Sequence, residues 1–206
     1  MSIKSILEIP VVYDLWQIVA GDKRRHKIMI NDYIGPTKGK SVLELGCGTA
    51  DLLQYLEPSN YIGIDMDESY IAYSKKRYAN RKEAAFHVMD LNEYAQVCKQ
   101  KFDIILMIGV VHHISDNEVK ECFARARELL SDGGVLIAAD GVYVKAMSAF
   151  EHWLLDMDRG DYVRDLAAYK RLHEEFFDEV HCDVRKDLMN LPFYIVVFKD
   201  CMHSAV

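Results

Sequence analysis

From residue 41 onward, short β-rich runs alternate with longer amphipathic ones, and this alternation constrains the fold more than any other feature of the chain. The strand-like runs are "SVLEL" (41–45), "YIGID" (61–65), "AAFHVMD" (84–90), "FDIILMIG" (102–109) and "GVLIAAD" (134–140). Between them lie "TADLLQYL", "DESYIAYSKKRYANR", "LNEYAQVCKQ" and "SDNEVKECFARARELLSDGG", the last with an apolar stripe at helical spacing and a "DGG" stop. Strands that alternate with helices in this way build βαβ units, hence a parallel α/β sheet with helices on both faces. The pattern changes towards the C-terminus. There "FDEVHCDVRK" and "FYIVVFKDC" are separated by a short segment around Pro192 and predict an antiparallel hairpin.

The expected organisation is a single domain over 1–206: an N-terminal helical lid (1–40), a ligand-binding core (41–140), a helical cover over the substrate (141–178) and the C-terminal hairpin (179–206). Half of the 206 residues are apolar and 28% are charged, enough apolar material for one sizeable core. A formal charge of −7 argues against a broad basic surface, so nucleic acid is not the expected partner. The basic run "KRRHK" (23–27) reads as a solvated helix face, with anion binding as the alternative. Five cysteines without a CxxC pair or a Cys/His cluster at zinc spacing predict neither metal nor disulfides, and a reducing cytoplasm fits them. Glu8 and Asp14 break the apolar N-terminal stretch, so neither a cleaved leader nor membrane insertion is expected.

In an open parallel sheet the ligand sits beyond the C-terminal strand ends, and the first βα turn supplies the contact. Here that turn is "GCGTAD" (46–51). Gly46 and Gly48 allow a sharp bend and close approach to the backbone amides. A third glycine, which a dinucleotide turn requires, is replaced by Asp51, and no Gly-Lys-Ser/Thr of a P-loop is present. Glu44, an acid at the end of the first strand, repels a pyrophosphate and attracts a sulfonium or ammonium. Asp65 closes the second strand, where an acid accepts hydrogen bonds from ribose hydroxyls. Asp90 closes the third, placed for an adenine amino group. Each of the three is equally a candidate helix cap.

Taken together, "LELGCGTADLL", "YIGIDMDESYIAYSKKR", "FHVMDLNEY", "FDIILMIGVVHHISD" and "LSDGGVLIAADG" resemble the class I S-adenosylmethionine-dependent methyltransferases over about residues 10–140. The resemblance implies a Rossmann-like, seven-stranded, mostly parallel sheet whose C-terminal hairpin adds the antiparallel strand. It implies S-adenosyl-L-methionine as cofactor and S-adenosyl-L-homocysteine as product. The backbone of Gly46, Cys47 and Gly48 would then line the methionine and ribose portions. Met66 would lie on one adenine face, with Asp90 and Leu91 reading the adenine edge and Ile108 and Gly109 beside the methionyl group. Tyr13 resembles a lid residue of such enzymes.

Methyl transfer from a sulfonium depends chiefly on positioning and desolvation, so a dedicated base is optional. His112 and His113 follow the fourth strand where the substrate pocket should open, and either is a candidate base, with packing as the alternative role. The strand lacks the Asn/Asp-Pro-Pro-Tyr/Phe clamp of adenine and amide methyltransferases, which favours a small-molecule substrate. In the cover, Tyr143, Phe150, Trp153 and Tyr162 are candidate walls, and Arg159 and Arg164 candidate partners of an acidic substrate group. The alternative for both arginines is ion pairing with Asp156, Asp158, Asp161 and Asp165. The expected activity is methyl transfer to an O, N or C atom of a small metabolite. Alternatives are action on a protein or cell-envelope polymer, or cofactor binding without catalysis.

Overall fold

The computed structural model describes residues 22–157 and 160–201. Tyr13, Arg159 and the part of the expected N-terminal lid before residue 22 lie outside them. The described chain opens with helix α1 (Asp22–Ile28), which runs on into a π-helical turn (Met29–Ile34). Gly35, at φ 70°, ends that turn.

The main sheet is ordered β3-β2-β1-β4-β5-β8-β7. Its strands are β1 (Ser41–Leu45), β2 (Asn60–Asp65), β3 (Ala84–Val88), β4 (Phe102–Ile108), β5 (Leu130–Tyr143), β7 (Glu179–Arg185) and β8 (Ile195–Cys201). A two-residue strand, β6 (Arg164–Asp165), pairs with the end of β5 at Val142 and Tyr143. β1 to β5 pair in parallel, and β8 runs antiparallel to both β5 and β7. This is the expected Rossmann-like sheet with its C-terminal hairpin.

The continuous apolar runs of the central strands follow from burial on both faces. On β4, Ile105 and Met107 join one core with Phe123, Tyr169 and Phe198, while Ile104 and Leu106 join the other with Met29, Tyr61 and Val197. This is the two-residue alternation of a pleated strand. Helix α4 (Asp116–Leu129) buries Val119, Phe123 and Ala126 along one stripe. Three helices start with reciprocal capping boxes: Asp90 and Glu93 at α3 (Leu91–Val97), Ser115 and Glu118 at α4, and Ser148 and Glu151 at α5 (Ala149–Asp156). Asp67 caps α2 (Glu68–Arg77), and Asp165 caps α6 (Leu166–Glu174).

Two segments depart from the expectation. "TADLLQYL" forms only a 3-10 turn, Asp51–Tyr55, because Ala50 enters it in the left-handed conformation (φ 54°) and Pro58 lies just beyond. The segment 141–178 is not helical throughout. β5 persists to Tyr143, and β6 then hydrogen-bonds to it, satisfying backbone groups that a continuous helix would have paired internally. Among the described residues no helix is long and apolar enough to cross a membrane.

Candidate functional site

Sheet growth reverses between β1 and β4, since β2 and β3 are added on one side and β5 on the other. That switch point, at the C-terminal strand ends, is where an open α/β sheet leaves a crevice. The turn after β1 fills its floor. Gly46 and Gly48 have φ of 62° and 51°, and a Cβ on Gly46 would come within 2.7 Å of the Val110 side chain. The Cys47 amide donates to Ile64 O (3.1 Å), and the Gly48 amide donates to Asp65 Oδ2 (2.8 Å). Asp65 Oδ1 accepts from the Asp67 amide (2.9 Å). Burial raises the Asp65 carboxyl above its ordinary range, and these amides pull the other way. The Cys47 thiol is buried against Gly63, and desolvation raises it well above a normal thiol, which suits packing rather than nucleophilic chemistry.

Above the turn lies an open cleft of about 490 Å³, solvent at its mouth included. Glu44, Gly46, Cys47, Gly48 and Ile108 line it together, along with Thr49, Asp51 and Leu52. Arg25 and His26 of α1 and Met29 of the π-helical turn close the other side. The basic run "KRRHK" is therefore not simply a solvated face. Burial depresses the His26 imidazole to about 3, so it is neutral there, and Arg25 adds to the effect. Glu44 is buried and accepts a hydrogen bond from the Tyr61 hydroxyl. Desolvation lifts its carboxyl to about 7, against the lowering effect of that bond.

The residues at the other strand ends, Asp65, Met66, Asp90, Leu91 and Gly109, are not among those lining this cleft. Met66, just past β2, is 69% exposed, an unusual state for a large apolar side chain. Asp90 Oδ1 caps α3 by accepting from the Glu93 amide (2.8 Å), and Leu91 is buried behind it. Gly109, at φ 72°, leaves β4 with its amide on Ala139 O (2.7 Å).

The two histidines part company. His113 is exposed, whereas His112 is buried with its Nδ1 2.6 Å from Asp140 Oδ1. The same oxygen accepts the His112 amide (3.1 Å). A Cβ on Gly109 would sit 3.7 Å from His112 Cε1, which places the ring at the end of β4, one residue from Ile108 in the cleft. Asp140 was not singled out from the sequence. It ends the "GVLIAAD" run just as Glu44, Asp65 and Asp90 end theirs, and that was the available signal.

Residues 43–136 match a family model described as a methyltransferase domain. This match, over 94 of the 206 residues, supports a class I S-adenosylmethionine-dependent methyltransferase domain in that stretch. Among similar proteins, N-terminal Xaa-Pro-Lys N-methyltransferase 2 of Danio rerio is 28% identical over 138 residues, 63% of this chain and 49% of that protein. Ubiquinone biosynthesis O-methyltransferase of Coxiella burnetii is 33% identical over 104 residues, 48% of this chain and 42% of its own. The chain thus spans about half the length, or less, of these relatives. Phosphoethanolamine N-methyltransferase 2 of Haemonchus contortus, solved with phosphomonomethylethanolamine and S-adenosylhomocysteine, superposes with a TM-score of 0.71. The match covers 91% of this chain and 54% of that one at 13% identity, a likeness of fold.

S-adenosylmethionine is the cofactor of such methyltransferase domains, and the cleft has a donor set that fits it. Glu44 and Arg25 line it with opposite charges, and Asp65 stands beside the glycine turn. The tight approach at Gly46 leaves backbone where a side chain would intrude. A cation beside Glu44 favours its charged form, so cofactor binding should expel a proton below about pH 7. Affinity of the methyltransferase for S-adenosylmethionine is accordingly expected to rise from about pH 6 to 8 and to flatten in Glu44→Gln. Calorimetry in buffers of different ionisation enthalpy measures the released proton directly.

The cover is arranged differently from the expectation. Tyr143 donates its hydroxyl to Asp156 Oδ1 (2.6 Å) and lies against His152, while Trp153 and Tyr162 are exposed and Phe150 stacks on Trp153 in solvent. These aromatics do not form one enclosed wall: α5 carries Phe150 and Trp153 outward, and Tyr162 is exposed on the segment after it. Arg164 is not available to an acidic substrate, nor does it pair with the neighbouring acids of its own segment. Its buried guanidinium is fully engaged by Asp116 and by carbonyls of the histidine turn. Among the described residues no three His, Cys, Asp or Glu side chains are placed to hold a metal ion.

Proposed function

We propose that the methyltransferase methylates a small metabolite at an oxygen or nitrogen that must lose a proton, with His112 receiving it. The observation that supports this reading is the buried His112–Asp140 pair at the end of β4, beside the cleft. S-adenosylmethionine supplies a methyl group made electrophilic by its sulfonium. The amides and strand-end acids of this chain position it: Asp65 beside the glycine turn for the ribose, Met66 and Asp90 with Leu91 for the adenine, and Glu44 with Gly109 at the methionyl end. Asp140 accepts a hydrogen bond from Nδ1–H and so leaves Nε2 as the basic nitrogen. It also stabilises the imidazolium once the acceptor's proton arrives. His113, exposed, has no part in this step.

A second reading, a peptide N-terminus as acceptor, draws its support from the Danio relative and its printed activity. A third is cofactor binding without turnover.

Calorimetric titration with S-adenosylmethionine, with S-adenosylhomocysteine and with NADH as a control tests the cofactor site. Micromolar binding of the first two and none of the third is expected; no binding of either would overturn the site assignment. Incubation with cell extracts and methyl-labelled cofactor then separates the acceptors. Label in the low-molecular-weight fraction supports a metabolite, label in precipitated protein supports the peptide, and binding without label supports the non-catalytic reading.

A further inference from the structure

The segment between α5 and α6 reaches back over the histidine turn. Arg164 is only 7% exposed, and its planar fork makes four hydrogen bonds and an ion pair. Nε and Nη2 contact Asp116 Oδ1 at 2.8 and 2.7 Å. Nη1 donates to Val111 O and Tyr162 O, both at 2.8 Å, and Nη2 donates to Ile114 O at 2.8 Å. The carbonyls of Val111 and Ile114 stand on either side of the two histidines, so one side chain fixes both ends of that turn.

The same segment makes two more contacts there. The Tyr162 amide donates to His112 O (2.9 Å), and a Cβ on Gly160 would fall 2.1 Å from His112 Cδ2, so the ring rests against bare backbone. β6, which contains Arg164, pairs with β5 two residues beyond Asp140. Both partners of the His112–Asp140 pair are therefore tied to one short stretch, although it lies about fifty residues from the histidine in sequence.

We propose that Arg164 and Gly160 are positioning residues for His112: the guanidinium sets the turn that presents the ring to Asp140, and the glycine sets the plane in which the ring lies. A lysine cannot replace the guanidinium, since its three donors radiate from one point and cannot reach Asp116 and three carbonyls together. The catalytic meaning of this arrangement rests on the reading of His112 as the base, but the positioning does not.

The test is heteronuclear NMR of the full chain labelled at histidine nitrogens, with the His112 ring signal assigned by its loss in His112→Asn. The other buried pair, His173 Nδ1 with Asp200 Oδ2 at 2.6 Å, makes no hydrogen bond to the turn and serves as an internal reference. Wild type is expected to show a hydrogen-bonded Nδ1–H signal for His112. Arg164→Lys and Gly160→Ala should each lose or displace it while the His173 signal stays in place. Asp116→Asn, at a 66% exposed side chain, supplies a milder version should Arg164→Lys fail to fold. A His112 signal unmoved in Gly160→Ala and Asp116→Asn, whatever the change in melting temperature, would overturn the proposal. Because no acceptor is needed, this result is independent of whether methyl transfer is observed.

Discussion

His112→Asn is expected to bind S-adenosylmethionine as the wild type does and to slow methyl transfer by about 10²–10⁴-fold, the usual contribution of a positioned general base. Binding should survive because His112 is not among the residues lining the cleft; it contacts Gly109, the residue after Ile108. Asparagine approximates the shape of the imidazole near Asp140 and keeps a donor for its carboxylate, so the buried acid is not stranded. What is removed is the basic nitrogen. The measurement is single-turnover kinetics at saturating acceptor across pH. A neutral imidazole is the active form of a base, so the wild-type rate should climb with pH and level off, and the variant should lose that climb. A rate profile of unchanged shape would assign the pair to packing and leave catalysis to proximity.

Asp65→Ala is expected to weaken binding of both S-adenosylmethionine and S-adenosylhomocysteine by about 10- to 100-fold, or roughly 1–3 kcal/mol. Two effects combine in that figure. The ribose diol loses its acceptor, and the amides of Gly48 and Asp67 lose theirs, which loosens the glycine turn itself. Asp65→Asn keeps one acceptor oxygen and should fall between the two. Titration calorimetry gives the affinity, and the melting temperature without ligand isolates the contribution of the turn. Equal affinities for wild type and Asp65→Ala would remove Asp65 from the ribose site.

What the sequence made legible was local. Strand alternation, the glycine turn and the acids closing β1, β2 and β3 are read within a few residues of each other, and each has a direct physical consequence for backbone or charge. What it hid depends on contacts between distant parts. Asp140 and His112 are 28 positions apart and meet because β4 and β5 are neighbours. Arg164 and Asp116 are 48 positions apart, and no rule of spacing on a helix connects them. Nearby acids in sequence were the natural partners to expect for Arg164, yet carbonyls of a turn won because the side chain is buried there. For "KRRHK", periodicity marked a helix but could not say that the face bearing Arg25 and His26 turns towards Glu44. Ala50 shows the reverse case, where one left-handed residue cut short a helix that composition favoured.

Glu44 illustrates how far this cleft is from being optimised for the fold alone. With its carboxyl raised to about 7, it favours the folded state most below about pH 4.5, and that contribution is lost as pH rises through 7. At the pH where a cationic ligand would want it charged, the ligand-free fold bears an ionised group in a site that resists ionisation. The residue is thus held at a compromise between persistence and recognition. Selection for heat resistance alone would remove the charge at this position early, and the variant it favoured would be a sturdier protein with a cleft that no longer distinguishes a cation from a neutral molecule.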